Sequence, residues 1–155
     1  MALSGRTAAK GTGGSGPAVG LTISREALVV FEDRDDARLL RLLRPGFRHC
    51  FCLTGADRRW TLCDPLKSRL ALAAVDGVDA LELAGHLDGV GRHILHGPVA
   101  ADAGACWPDA RPITCAEIVK RLLGVRAPAV VTPHQLYRHL LREDRAEAGF
   151  VEVGS

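Results

Sequence analysis

Apolar and polar positions alternate, then switch period, along this chain. The run 27–31 (Ala27, Leu28, Val29, Val30, Phe31) is apolar and rich in β-branched residues, and it predicts a short buried strand. Over 35–43, acidic Asp35 and Asp36 precede Leu39, Leu42 and Leu43, a helix pattern closed by Pro45-Gly46. The segment 47–53 and the segment 58–64 read as two strands of a hairpin around the turn residues 54–57, with Pro65 as the stop. A third strand is expected at 69–75, a helix at 78–87 from the spacing of Leu81, Ala84 and Leu87, and a short strand at 92–95. Residues 100–111, with Trp107-Pro108, read as a loop.

Two further helices carry sharp start signals. Thr114 and Glu117 stand at capping-box spacing ahead of the apolar positions up to Leu123, and Gly124 supplies the stop. Thr132, Pro133 and Gln135 repeat that signature before Leu136, Tyr137, Leu140 and Leu141. Together these elements predict an α+β domain, a helix-flanked antiparallel sheet, over 21–145. Residues 1–20 are Gly-, Ser- and Ala-rich without apolar periodicity and read as a flexible tail, and 146–155 as a C-terminal tail. No internal repeat is visible.

Composition narrows the function classes. With 155 residues and 47% hydrophobic content, the chain suits a single domain with a real core. A net charge of +2, from 20 Lys and Arg against 18 Asp and Glu, gives no case for nucleic acid or an anionic membrane. No apolar run approaches the roughly 20 residues of a membrane span. No signal-peptide core precedes the five cysteines, Cys50, Cys52, Cys63, Cys106 and Cys115. A cytoplasmic setting with reduced thiols is therefore expected rather than a disulfide framework.

The chemistry concentrates at Cys115. As the first residue after the Thr114 cap, its sulfur would sit beside unpaired backbone N–H groups and the positive end of a helix dipole, which lowers a thiol pKa from about 8.5. A base is available on the hairpin. Alternation over 47–53 places Phe47, His49, Phe51 and Leu53 on one face, and Trp60, Leu62 and Asp64 on one face of the partner strand. If both faces meet the same core, Asp64 points toward His49. Cys115 as nucleophile, His49 as base and Asp64 as orienting group follow the logic of thiol hydrolases, with helix N–H groups to hold an oxyanion.

Structural readings stand beside these. Cys115 can be a small core hydrophobe, His49 a backbone-bonded core imidazole, and Asp64-Pro65 a turn opener. Cys50, Cys52, Cys63 and His49 raise structural zinc, but alternation turns Cys50 and Cys52 away from His49 and there is no C-x-x-C pair. Cys50, Cys52 and Cys63 can instead pack on the opposite face under a helix. His86, His93, His96, His134 and His139 show no metal-ligand spacing, and no metal or cofactor is expected. Gly11 to Gly16 matches G-x-G-x-x-G formally, yet follows no strand and opens no helix.

The order His, polar residue, Cys resembles the circularly permuted branch of the papain-like fold, which includes NlpC-type and lecithin:retinol acyltransferase-like thiol hydrolases. Pro45-Gly46-Phe47-Arg48-His49-Cys50-Phe51-Cys52-Leu53 is similar to that branch's histidine strand, and Thr114-Cys115-Ala116-Glu117-Ile118-Val119 to its cysteine helix. The likeness spans 45–124. Where acyltransferase-type members carry a second His, this chain has Cys63-Asp64, and Thr114 replaces the usual Asn or Asp before the Cys. The resemblance implies hydrolysis or acyl transfer at an amide, ester or thioester carbonyl, with a peptide or cell-wall-type amide as substrate. The chain also resembles, more distantly, small alphaproteobacterial phage or prophage proteins. That implies the alternative, a non-catalytic structural or partner-binding module of the same fold, associated with a phage particle.

Overall fold

The computed structural model describes residues 25–34, 42–89, 91–100, 113–143 and 149–154. Among them are six strands and three helices: β1 Glu26–Glu32, β2 His49–Ala56, β3 Arg59–Pro65, β4 Leu70–Asp76, α1 Ala80–Leu87, β5 His93–Pro98, α2 Cys115–Leu123, α3 Pro133–Glu143 and β6 Val151–Glu152. The strands form one antiparallel sheet in the order β4-β3-β2-β1-β5-β6, so the architecture is α+β.

β1 lies inside the sheet, between β2 and β5, and five of its residues, Ala27 through Phe31, are fully buried. Both of its faces need cover, which explains why its sequence is a continuous apolar run rather than an alternation. Leu28 and Val30 join Phe51, Leu53, Trp60 and Ile94 under Leu83 and Ala84 of α1. Val29 and Phe31 join Cys50, Cys52, Cys63 and Leu95 under Val119 and Leu123 of α2 and Leu136 and Leu140 of α3. The inner strands of the sheet are therefore covered on both faces, while edge strand β4 stays largely exposed. Each fully buried leucine contributes about 1.5–3 kcal/mol, and Leu123, Leu136 and Leu140 are all within 1% of complete burial.

Several local expectations shift. The hairpin turn is Asp57-Arg58 alone, with both residues at positive φ (50° and 63°), so β2 runs on through Thr54 to Ala56. That conformation is the two-residue hairpin geometry whose twist matches the flanking strands. Phe47 precedes β2 and does not share a face with Phe51 and Leu53. It packs with Phe31 and Tyr137, rings 5.9 and 4.9 Å apart, on the α2/α3 side, whereas Phe51 and Leu53 lie on the α1 side. The cause is register: His49 is the first paired residue, opposite Glu32, so the alternation does not extend back to Phe47. β5 runs to Pro98, beyond the expected 92–95. β6, which local pattern did not indicate, pairs with β5 and brings buried Phe150 onto Gly97. The helix expected over 35–43 and the loop 100–111 fall largely outside the described residues.

No described helix is long and apolar enough to cross a membrane.

Candidate active site

The start of α2 places Cys115. Thr114 is extended (φ −98°, ψ 165°), and its Oγ accepts the Glu117 N–H at 3.1 Å, so Cys115 opens the first turn. The reciprocal arm of the expected capping box does not form. Glu117 is 4% exposed and engages Lys120 Nζ at 2.7 Å and Arg121 Nε at 3.0 Å. A buried lysine offers this carboxylate a full counter-charge, a stronger partner than a backbone N–H at the cap. Lys120, 1% exposed, also donates to Ala127 O at 2.9 Å and Val130 O at 2.7 Å, so all three of its protons are used. The pair Glu117–Lys120 thereby ties α2 to the segment leading into α3. The second capping box is complete: Gln135 N–H donates to Thr132 Oγ at 3.3 Å, and Thr132 N–H to Gln135 Oε1 at 3.1 Å.

Opposite the α2 start stands the beginning of β2. His49, 6% exposed, shares a hydrogen bond between Nε2 and Asp64 Oδ1 at 2.7 Å, and its ring lines the same cleft as Cys115, close enough for the Cys115 sulfur to raise its pKa. With Nε2 on Asp64, Nδ1 is the nitrogen left for sulfur. Asp64 reaches the ring because β2 and β3 pair antiparallel, Cys52 against Cys63, which sets the end of β3 beside the start of β2. The sequence-predicted trio of Cys115, His49 and Asp64 is thus brought together.

Two participants were not foreseen. Arg34, just beyond β1, donates from Nη1 to Asp64 Oδ2 at 3.2 Å. The signal for it is the β1–β2 register: Glu32 opposes His49, so residues following β1 end at the same rim. The other is Cys50. Alternation correctly sends it away from the α1 side, into the cluster under α2 with Cys52 and Cys63. Cys115 packs against that cluster, and the Cys50 thiol and backbone N–H stabilise its ionised sulfur.

These contacts set the charges. The Cys115 thiol is held down to about 4: the Cys50 thiol proton is the largest influence, burial opposes it, and the His49 ring and Cys50 N–H add to it. For His49, burial pulls the pKa down, but the bonds to Cys115 and Asp64 outweigh it and raise the value above 6.5. The shifts favour a Cys115 thiolate beside a His49 that holds its proton more tightly than a free imidazole. Cys50 moves the opposite way, pushed well up by burial and by the neighbouring Cys115 thiolate, so it keeps its proton and donates it. Burial also raises Cys52 and Cys63.

Cys115 and His49 line a cleft of about 580 Å3 at the end of the sheet. Ile113, Ile118 and Val131 make part of its wall apolar, and Arg34, Arg48 and Lys67 add positive charge. Among the described residues no group of three or more His, Cys, Asp and Glu side chains is placed to hold a metal ion. Three of the other histidines are engaged elsewhere: His93 Nδ1 with Glu152 at 2.9 Å, His96 with Glu26 at 2.8 Å, and His134 with Arg44 at 3.0 Å. Cys106 and Trp107 lie outside the described residues.

No family model matches the chain, and no curated protein or solved structure matches it.

Proposed function

We propose that this protein is a papain-like thiol hydrolase or acyltransferase of permuted chain order, acting on an amide or ester carbonyl through an acyl group carried on Cys115. The observation that carries the reading is the chain Cys115–His49–Asp64 at one cleft, with the thiol held down to about 4 and the imidazole raised. A thiolate already ionised at neutral pH attacks without waiting for proton transfer.

In the first half-reaction the Cys115 sulfur forms a bond to the carbonyl carbon. The tetrahedral oxyanion is met by the Cys115 and Ala116 N–H groups at the start of α2, since the Glu117 N–H is taken by Thr114 Oγ. Collapse breaks the bond to the leaving amine or alkoxide, which takes the proton from His49. In the second half-reaction neutral His49 accepts a proton from water or from an acceptor nucleophile, which attacks the thioester and releases Cys115. Asp64 holds the ring through Nε2, and Arg34 holds the far oxygen of Asp64. The apolar wall of Ile113, Ile118 and Val131 supports a substrate with an apolar group next to the scissile carbonyl, in line with a peptide or cell-wall-type amide.

The test is pre-steady-state release of p-nitrophenolate from p-nitrophenyl acetate. A stoichiometric burst in the native protein, lost in Cys115→Ala and slowed in His49→Ala, is the expected result. A burst that persists in Cys115→Ala, or no burst in folded native protein, overturns the reading in favour of a non-catalytic module.

A further inference from the structure

The proposed chemistry makes no use of Cys50 as a sulfur nucleophile, yet Cys50 follows His49 on β2 and lies in the buried cluster against which Cys115 packs. The Cys50 thiol is the largest influence lowering the Cys115 pKa, and its backbone N–H adds to it. Cys50 itself is fully buried beneath the α2 start, whereas Cys115 lines the cleft and is only partly buried. The two cysteines thus share one packed cluster, Cys115 at the cleft and Cys50 behind it. All four described cysteines are reduced thiols.

We infer that Cys50 and Cys115 form a reversible disulfide pair responsive to hydroperoxides, in which Cys115 is the oxidised sulfur and Cys50 the resolving one. The inference shares the Cys115 thiolate with the proposed function but does not need carbonyl turnover.

The steps balance with a hydroperoxide as oxidant. The Cys115 thiolate attacks the outer peroxide oxygen; the O–O bond breaks, an S–O bond forms, and the departing alkoxide takes the His49 proton to leave as an alcohol. The sulfur is then a sulfenic acid. The Cys50 sulfur attacks it, the S–S bond forms and the S–O bond breaks. The oxygen leaves as water carrying its own proton and the one from Cys50. The sum is two thiols and one hydroperoxide giving one disulfide, one alcohol and one water. A buried, protonated thiol is a slow attacker on an ordinary disulfide. Here the reaction is intramolecular between side chains packed in one cluster, and proximity of this kind offsets low intrinsic reactivity.

One feature selects this pair over Cys52 and Cys63. Cys52 and Cys63 are also opposite each other across β2 and β3, but both are buried and both have raised pKa values, so neither presents a thiolate to an oxidant. Resolution also protects the site, because an unresolved sulfenic acid proceeds to sulfinic acid, which thiols do not reverse. The disulfide would silence any acylation at Cys115 until a dithiol restored it.

The experiment exposes the full-length protein to hydrogen peroxide, blocks remaining thiols with iodoacetamide and maps the peptides by mass spectrometry. The expected product is a Cys50–Cys115 linked peptide that disappears with dithiothreitol, with full recovery of iodoacetamide labelling at Cys115. In Cys50→Ser the expected product is Cys115 sulfinic acid with labelling permanently lost, and in Cys52→Ser the linkage forms as in the native protein. Sulfinic acid at Cys115 of the native protein with Cys50 unlinked overturns the proposal. So does a Cys52–Cys63 linkage in its place, or full dithiothreitol recovery in Cys50→Ser. Should Cys50→Ser not fold, the native peptide map decides alone. A linked pair in a protein without an ester burst leaves this inference standing and removes the hydrolase reading; a burst without linkage does the reverse.

Discussion

Replacing His49 with alanine measures how much of the Cys115 thiolate depends on the imidazole. The native thiol is held down to about 4 by Cys50 first and by His49 second, against the opposing effect of burial. His49→Ala deletes one charge-assisted hydrogen bond, worth about 1.5–3 kcal/mol. At roughly 1.4 kcal/mol per pH unit, the Cys115 midpoint rises by about one to two units. It does not return to the free-thiol value of about 8.5, because both Cys50 donors and the helix start remain. The assay is the rate of iodoacetamide alkylation against pH, read as Cys115 peptide modification so that the other cysteines do not contribute. His49→Asn serves as a second variant that fills more of the vacated space, and circular dichroism confirms the fold of each. A midpoint unchanged in both variants refutes the His49–Cys115 partnership. A native midpoint near that of a free thiol refutes the whole electrostatic account of the site.

Other consequences are equally direct. The ester-acylation rate is expected to follow a bell in pH. Its acid limb lies near 4, where the depressed Cys115 thiol ionises, and its alkaline limb lies above 6.5, where the raised His49 loses its proton; a single limb near the free-thiol value contradicts the ion pair. Lys120→Met leaves the buried Glu117 carboxylate with Arg121 alone and two carbonyls without their donor, a loss of up to about 3–5 kcal/mol in urea unfolding. Pairing it with Glu117→Gln should recover part of that loss, and an unchanged midpoint in Lys120→Met would contradict the role of the ion pair. At Gly97 an added Cβ would meet the Phe150 ring at 2.5 Å, so Gly97→Ala is expected to cost about 1–3 kcal/mol. It should also speed amide exchange at 150–152, and native exchange rates there would show that β6 does not depend on this close approach.

Legibility in the sequence followed the range of the interactions. The hairpin of β2 and β3, the starts of α2 and α3, and the Gly124 stop at φ 77° are written within a few residues of where they act. The trio Cys115, His49 and Asp64 could be named because alternation and a helix cap each place a side chain locally. The strand order could not be read this way. β1 packs between β2 and β5, and β6 adds to β5 from far along the chain, pairings that no local period encodes. Glu117 shows how a local rule loses to a tertiary one: its spacing suits a cap, but burial beside Lys120 gives it an ionic partner. Cys50 shows the same limit. Its face was predictable, whereas its contact with Cys115 depends on where α2 docks along β2.

The central claim is that Cys115 carries the acyl group, and it can be tested by stopping the reaction with p-nitrophenyl acetate in acid and mapping the acetylated peptide. Acetyl on Cys115, absent in Cys115→Ala and persisting longer when His49 is replaced, is the predicted result. Acetyl confined to lysines or to another cysteine, with Cys115 unmodified in the folded protein, would contradict it.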